Sequence, residues 1–368
     1  MHLIDLFPIS PSSIPLRRLR PQRCIRFVSV GLCLSLLNGC FLWHVSVGQL
    51  KLLSRRQPVE EVLSQATLSE QEQDKLRLIM RVRLFAMDQL GLHVDDSYTT
   101  FVDVGGPYVT YNVSAAPKDA LRPYVWWFPI VGRVPYKGYF SKEAAVRQAR
   151  TLEARGYDTY VRGVRAYSTL GYFDDPILSS MLAYPDFALI NTIIHELVHR
   201  TVWVKGSVSF NESLASFVAA KGVRAYLAEQ YGADAPPSQR YQDLRADTKV
   251  FRAYMYDVVQ RLETLYQGPL SRAEKLRQRE QIFAAATSDY PSVFPRMKTK
   301  RYQRYFERRT LNNAVLLSFR RYNRDMSFFE QAFAAHDGDI RRMIDFFKTL
   351  GPKDIPETFR TPSAANQP

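Results

Sequence analysis

Asn191-Thr192-Ile193-Ile194-His195-Glu196-Leu197-Val198-His199-Arg200 places histidine, glutamate and histidine at positions i, i+1 and i+4. On an α-helix, i and i+4 lie one turn apart on the same face, so both imidazoles can reach one ion. Imidazole nitrogen suits Zn²⁺ at roughly 2.0–2.1 Å. Glu196 follows directly and sits beside that face, where its carboxylate can take a proton from a water that the ion has made acidic. Leu189, Ile190, Ile193, Ile194, Leu197 and Val198 are apolar. A helix of this composition, expected over 185–204, is buried and gathers its polar groups on one side; three solvated side chains on a surface helix would not need such flanks.

Two histidines leave a catalytic zinc site short of a third protein ligand. Phe210-Asn211-Glu212-Ser213-Leu214-Ala215 offers one. Lys205-Gly206 is a turn signal, and Asn211 is read as the cap of a new helix running to Gln230. Glu212 in its first turn, 13 residues past His199, can face the motif helix. Its other possible role is to complement the helix N-terminus. Asp174, Asp175, Asp186 and Glu229 are reserve candidates for the ligand.

Outward from the motif, the chain reads as α+β and mainly helical. Towards the N-terminus, 59–92 is helical, with Ser69 and Glu72 in the form of a capping box. Short β-like runs follow at 101–104, 108–113 and 124–128, punctuated at Gly105-Gly106-Pro107 and Ala116-Pro117. An amphipathic helix over 141–156, capped by Ser141, precedes a strand at 159–164. Towards the C-terminus, helices are expected at 241–266, 271–286, 302–322 and 327–350. The division this suggests is a helical segment over 40–94, a small α+β subdomain over 95–165, a helical region over 166–350 that carries the motif, and a flexible tail over 351–368.

Residues 1–39 have the layout of a signal peptide. Arg17, Arg18, Arg20, Arg23 and Arg26 precede an uncharged apolar run from Phe27 to Trp43. Leu37-Asn38-Gly39-Cys40 has the form of a bacterial lipobox, which would leave Cys40 to carry lipid; an uncleaved signal anchor is the alternative. Either way the body is expected in the bacterial cell envelope, membrane-anchored and facing the periplasm. All three cysteines, Cys24, Cys33 and Cys40, lie in or at the end of this leader. The body therefore has no disulfide framework, no thiolate metal site and no cysteine nucleophile. The net charge is +14, and the leader's five arginines against Asp5 leave +10 for the rest. That excess suits a solvated surface or anionic lipid headgroups; no nucleic-acid motif accompanies it.

His195-Glu196-x-x-His199 with Asn211-Glu212 resembles the gluzincin arrangement of zinc metallopeptidases. More closely, Ala166-Tyr-Ser-Thr-Leu-Gly-Tyr-Phe-Asp-Asp-Pro176, the motif, and Phe210-Asn-Glu-Ser-Leu-Ala-Ser-Phe-Val218 resemble a family of proteobacterial lipoproteins described as aminopeptidases. Gly48-Gln49-Leu50, Tyr136 to Phe140 and Leu311 to Ala314 add to the likeness. The resemblance implies zincin-like catalytic helices, one Zn²⁺ held by His195, His199 and Glu212, and Glu196 as catalytic base. Two features depart from the wider group: Ser216 stands where many gluzincins carry an acid, and the Gly-x-Met-Glu-Asn motif of one aminopeptidase branch is absent. Peptidase is therefore the firmer implication, aminopeptidase the narrower one.

Oxyanion stabilisation needs a further donor. Tyr167, Tyr322 and Tyr305 are candidates, and Asn312 or Asn313 could contact substrate backbone. His93 and His336 are assigned no role. The expected activity is hydrolysis of a peptide substrate. The alternatives are a non-catalytic envelope lipoprotein with a structural metal site, acting as a binding or scaffold protein, and a hydrolase of another amide such as those in peptidoglycan.

Overall fold

The computed structural model describes residues 54–65, 67–128, 132–166, 174–321 and 326–359, all within one unit, Leu52–Pro368. A short strand β1 (Gln57–Pro58) and helix α1 (Val59–Ser64) lead to α2 (Glu70–Asp88). The capping box is formed as expected: the Ser69 hydroxyl accepts from the Glu72 N–H, and the Glu72 carboxylate accepts from the Ser69 N–H at 2.9 Å. Leu76, Ile79 and Val82 of α2 are fully buried in the main core.

Strand β2 (Thr100–Val102) pairs antiparallel with β1. The middle of the chain then builds β3 (Thr110–Pro117), the hairpin of β4 (Trp126–Phe128) and β5 (Gly132–Val134), β6 (Lys137–Tyr139), helix α3 (Lys142–Ala154) and β7 (Tyr157–Val164). Strands β6, β3 and β7 form an antiparallel sheet in that order. Ala145, Ala149 and Leu152 of α3 pack on it against Val113 and Ala115. The turn expected at Ala116-Pro117 is instead the end of β3, with Pro117 opposite Tyr157. Beyond Val113 this strand is paired on one side only, which is where a sheet tolerates proline.

Strand β8 (Ile177–Leu178) joins β2 in parallel, and a 3₁₀ turn at Ser179–Ala183 delivers the chain to α4 (Asp186–Thr201), the motif helix. Leu189, Ile190, Ile193, Ile194, Leu197 and Val198 are all buried, as the apolar pattern predicts. A connector of six residues follows, with Gly206 in the left-handed region (φ +78°), a conformation that glycine adopts without strain. Helix α5 (Val208–Tyr231) then packs along α4 in the most extensive helix–helix contact of the fold. Gly222 permits this: a Cβ there would lie 2.9 Å from Ile194 Cδ1 and 3.0 Å from Leu90 Cδ1.

The C-terminal half consists of α6 (Pro236–Gln267), α7 (Arg272–Ser288), α8 (Asn313–Arg321), α9 (Ser327–Ala335) and α10 (Ile340–Lys348). Two expected helices differ. Residues 301–308 are turns rather than the start of a helix. Their aromatic residues fill a second core instead: Tyr302 stacks on Phe251 at 4.3 Å, and Tyr305 lies 4.7 Å from the same ring. The span 327–350 is two helices, broken at Asp337 and Gly338, both at positive φ, and restarted by Asp339, whose carboxylate accepts from the Arg342 N–H. The second core is joined to the sheet by a buried pair, in which Arg279 of α7 donates to both carboxylate oxygens of Asp158 at 2.9 and 3.1 Å. The fold is thus mainly helical α+β with small sheets. Among the described residues no helix is long and apolar enough to cross a membrane.

Candidate metal centre

The i, i+4 spacing on α4 turns the two imidazoles towards each other, with Nε2 of His195 and Nε2 of His199 3.1 Å apart. Glu212 on α5 reaches the same point: its Oε2 lies 3.5 Å from His195 Nε2 and its Oε1 3.7 Å from His199 Nε2. One donor atom from each residue falls within 4.8 Å of the other two. These separations test whether an ion fits. Ligands at roughly 2.0–2.1 Å from a tetrahedral zinc stand about 3.3 Å from one another, so the observed triangle is close to the required size. Two imidazoles and a carboxylate also form a donor set that zinc accepts. Among the described residues, no fourth His, Cys, Asp or Glu joins the group.

Glu212 arrives by a route that differs from the one expected. Helix α5 opens at Val208 rather than at Asn211, so Glu212 lies in the second turn. Asn211 is buried and does not cap: its Oδ1 accepts from the Val204 N–H and its Nδ2 donates to the Val204 carbonyl, both at 2.9 Å. This closed pair pins the connector between the two helices immediately beside the acid. Phe210, fully buried among Phe329, Phe347 and Phe359 at 5.5–6.0 Å, anchors the other side of the same turn.

Burial and neighbouring charge set the protonation of these groups. Burial lowers the His199 pKa to about 4, with the neighbouring His195 acting in the same direction against Glu212; its imidazole is therefore neutral at pH 7 and its lone pair is available. For His195, burial acts downward, but a hydrogen bond to Glu212 and the charges of Glu196 and Glu212 prevail, and its pKa is raised. Burial also pushes Glu196 up to about 7, helped by the charges of Glu212 and Asp175 and opposed by His195. A carboxyl with that proton affinity can both take up and release a proton near neutrality.

Three neighbours were not foreseen from the sequence. Trp203 stands edge-on to His199 with centroids 5.6 Å apart and is 40% exposed, which makes it a wall of the site. Tyr98 is buried within reach of the Glu196 charge, and its hydroxyl pKa is raised well above the usual value, first by burial and then by the charges of Glu196 and Asp175. Its backbone is at φ +63°, and no local sequence signal marks that position. Arg200, next to His199, donates to Asp95 at 2.8 Å and to Asp174 at 2.7 Å, so two loops are tied to the end of the motif helix.

The reserve ligands do not enter the three-donor group. Asp174 is engaged by Arg200, Asp186 is paired with Lys75 at the far end of α4, and Glu229 is exposed. Asp175 is buried, with its N–H donating to Ser97 and its carbonyl accepting from the Tyr98 N–H. Asn312, read as a candidate substrate contact, has both ends of its amide engaged within the fold: it donates to the Thr159 carbonyl and accepts from the Val315 N–H, both at 2.9 Å. Asn313 likewise accepts from the Tyr266 hydroxyl and donates to the Pro117 carbonyl. Tyr305 belongs to the second core. Cys40, Tyr167 and Tyr322 lie outside the described residues.

Three donors converge from two packed helices, two imidazoles and a carboxylate, with a second carboxyl, Glu196, alongside, and together they have the composition of a metal-binding site. The chain belongs to the family described as "Putative aminopeptidase", whose sequence model matches residues 40–360, and that membership supports a peptidase-like function. Neither a curated protein nor a solved structure matches the chain.

Proposed function

We propose that the protein is a zinc-dependent peptidase that acts from the free amino end of peptides, with His195, His199 and Glu212 as ligands and Glu196 as general base. The observation that carries this reading is the convergence of the three donor atoms beside a carboxyl group poised near neutrality. When bound, zinc supplies Lewis acidity towards the attacking water and the scissile carbonyl. Glu196 accepts the proton of that water on its carboxylate and later delivers it to the leaving amine. Neutral His199 keeps its lone pair free for the ion at physiological pH. Trp203, exposed beside His199, provides an apolar surface for a substrate side chain. Attachment to the envelope membrane through a lipid on Cys40 is part of the same proposal. It is supported by Leu37-Asn38-Gly39-Cys40 and by a family match that begins at residue 40.

The test is cleavage of a peptide library by the full-length protein, with free and acetylated amino termini in parallel and metal content measured on the same samples. About one zinc per chain is expected, with cleavage restricted to free amino termini. Glu196→Gln should keep the metal and lose turnover by a factor of roughly 10²–10⁴. Wild-type turnover in Glu196→Gln, or a loaded protein that cleaves nothing in the library, would overturn the reading.

A further inference from the structure

A large cleft lies on the opposite face of the motif helix from the metal centre. Its volume is about 860 Å³, within the roughly 300–1,000 Å³ of typical small-molecule sites. Leu78, Phe187, Ile190, Leu227 and Leu244 supply an apolar floor drawn from α2, α4, α5 and α6. Ile190 stands about 140° around α4 from His195 and about 180° from His199, at 3.6 residues per turn. A molecule in this cleft would therefore touch the back of the motif helix and none of the three donors.

The rim is cationic. Arg240 from α6 and Lys300 and Arg301 from the turns between α7 and α8 are exposed, and none has a carboxylate among the described residues within ion-pair distance. Among the described residues the one acid lining the cleft, Asp186, is already paired with Lys75, which also donates to the Tyr184 carbonyl at 2.8 Å. An apolar floor beneath three unneutralised cations complements a ligand with an apolar body and an anionic head.

The backbone decides what kind of body. Most of the lining comes from within helices, where N–H and C=O groups are bonded along the helix, and Pro185, Pro236 and Pro237 have no N–H to offer. The N–H groups of Asp186 and Phe187, in the first turn of α4, have no partner within that helix but form no strand edge. The Thr299 N–H donates to Asp247 at 2.7 Å. An extended peptide laid along this floor would find no ladder to join, and its own amides would be buried unpaired. An acyl chain carries no such groups. We infer that this cleft binds an acyl lipid with an anionic head, its chain over Leu78, Phe187 and Leu244 and its head held by Arg240, Lys300 and Arg301. The inference stands apart from the reading of the metal centre.

The experiment is calorimetric titration of the full-length protein with dodecyl phosphate below its micelle concentration. Dodecylphosphocholine and inorganic phosphate are titrated in parallel, and all three are repeated on the Arg240→Glu/Lys300→Glu/Arg301→Glu variant. Dodecyl phosphate should bind the wild type and be weakened at least about tenfold by charge reversal, while the other two probes bind at least about tenfold more weakly than dodecyl phosphate. The three substituted side chains are exposed, and circular dichroism checks that the fold is kept. Leu244→Gln gives an independent probe of the floor and should also weaken dodecyl phosphate. Three results would each overturn the assignment. Unchanged binding in the charge-reversed variant would place the ligand elsewhere, including on the apolar leader. Equal affinity for inorganic phosphate would mean an anion site without an acyl body. Equal affinity for dodecylphosphocholine would mean a groove that ignores charge.

Discussion

Replacing Glu196 by glutamine should stabilise the metal-free protein, and the gain should grow with pH. The glutamate pKa is raised from 4.5 to about 7, chiefly by burial, with the charges of Glu212 and Asp175 adding to it. A raised folded-state pKa means that the folded protein holds a proton which the unfolded chain releases. The contribution to stability is therefore complete below pH 4.5 and is lost as pH rises through 7. At 1.36 kcal/mol per pKa unit, the loss is about 3 kcal/mol. Glutamine copies the protonated acid in shape and never ionises. In excess chelator, the stability of Glu196→Gln minus that of the wild type should be small at pH 4.5 and rise by about 3 kcal/mol at pH 8. His199 has the opposite sign: its pKa is depressed to about 4, so its contribution is present above pH 6.5 and is lost on acidification. Both proteins share that slope, and it cancels in the difference. Urea titrations at four pH values from 4.5 to 8 measure the effect. Adding zinc should shrink the difference, because a cation beside the carboxylate favours its ionised form. A difference that stays flat with pH, or that favours the wild type as pH rises, would refute the account of Glu196.

Three further substitutions probe how the site is held. Asn211→Ala leaves both polar groups of the buried Val204 backbone without their partner and should cost about 2–4 kcal/mol in urea unfolding; a cost under about 0.5 kcal/mol would mean the connector needs no clamp. Gly222→Val forces a branched side chain against Ile194 and Leu90 and should destabilise by about 1–3 kcal/mol, which thermal melts would detect; unchanged melting would contradict the close helix approach. Arg279→Ala strands the carboxylate of buried Asp158 and should cost about 3–5 kcal/mol by the same urea titration, and an unaltered midpoint would show that the pair is not buried in solution.

The centre was legible in sequence because its chemistry is local. His195, Glu196 and His199 share one helix, and helical geometry alone fixes how they meet. Glu212 could be named as a candidate but not placed, since its position depends on a connector whose closure by Asn211 is a tertiary event. Asparagine before an acid reads as a cap, and only the buried backbone of Val204 shows why it is not one. The aromatic residues at 302–306 misled in a similar way: their spacing suits a helix, but stacking on Phe251, 51 positions earlier than Tyr302, sets their conformation. The break at Asp337 and Gly338 carried a signal, glycine next to aspartate, that the apolar pattern on both sides obscured. Tyr98 lies beside the site through long-range packing, so nothing in its own neighbourhood marks it, whereas Trp203 stands only four residues past His199, just beyond the end of the motif helix.

Diffraction at the zinc absorption edge, from crystals of the full-length protein grown with zinc, tests the central claim most directly. One anomalous peak is predicted, at roughly 2.0–2.2 Å from His195 Nε2, His199 Nε2 and a Glu212 oxygen. A peak bonded to other residues, or those three side chains turned apart with zinc present, would contradict the account.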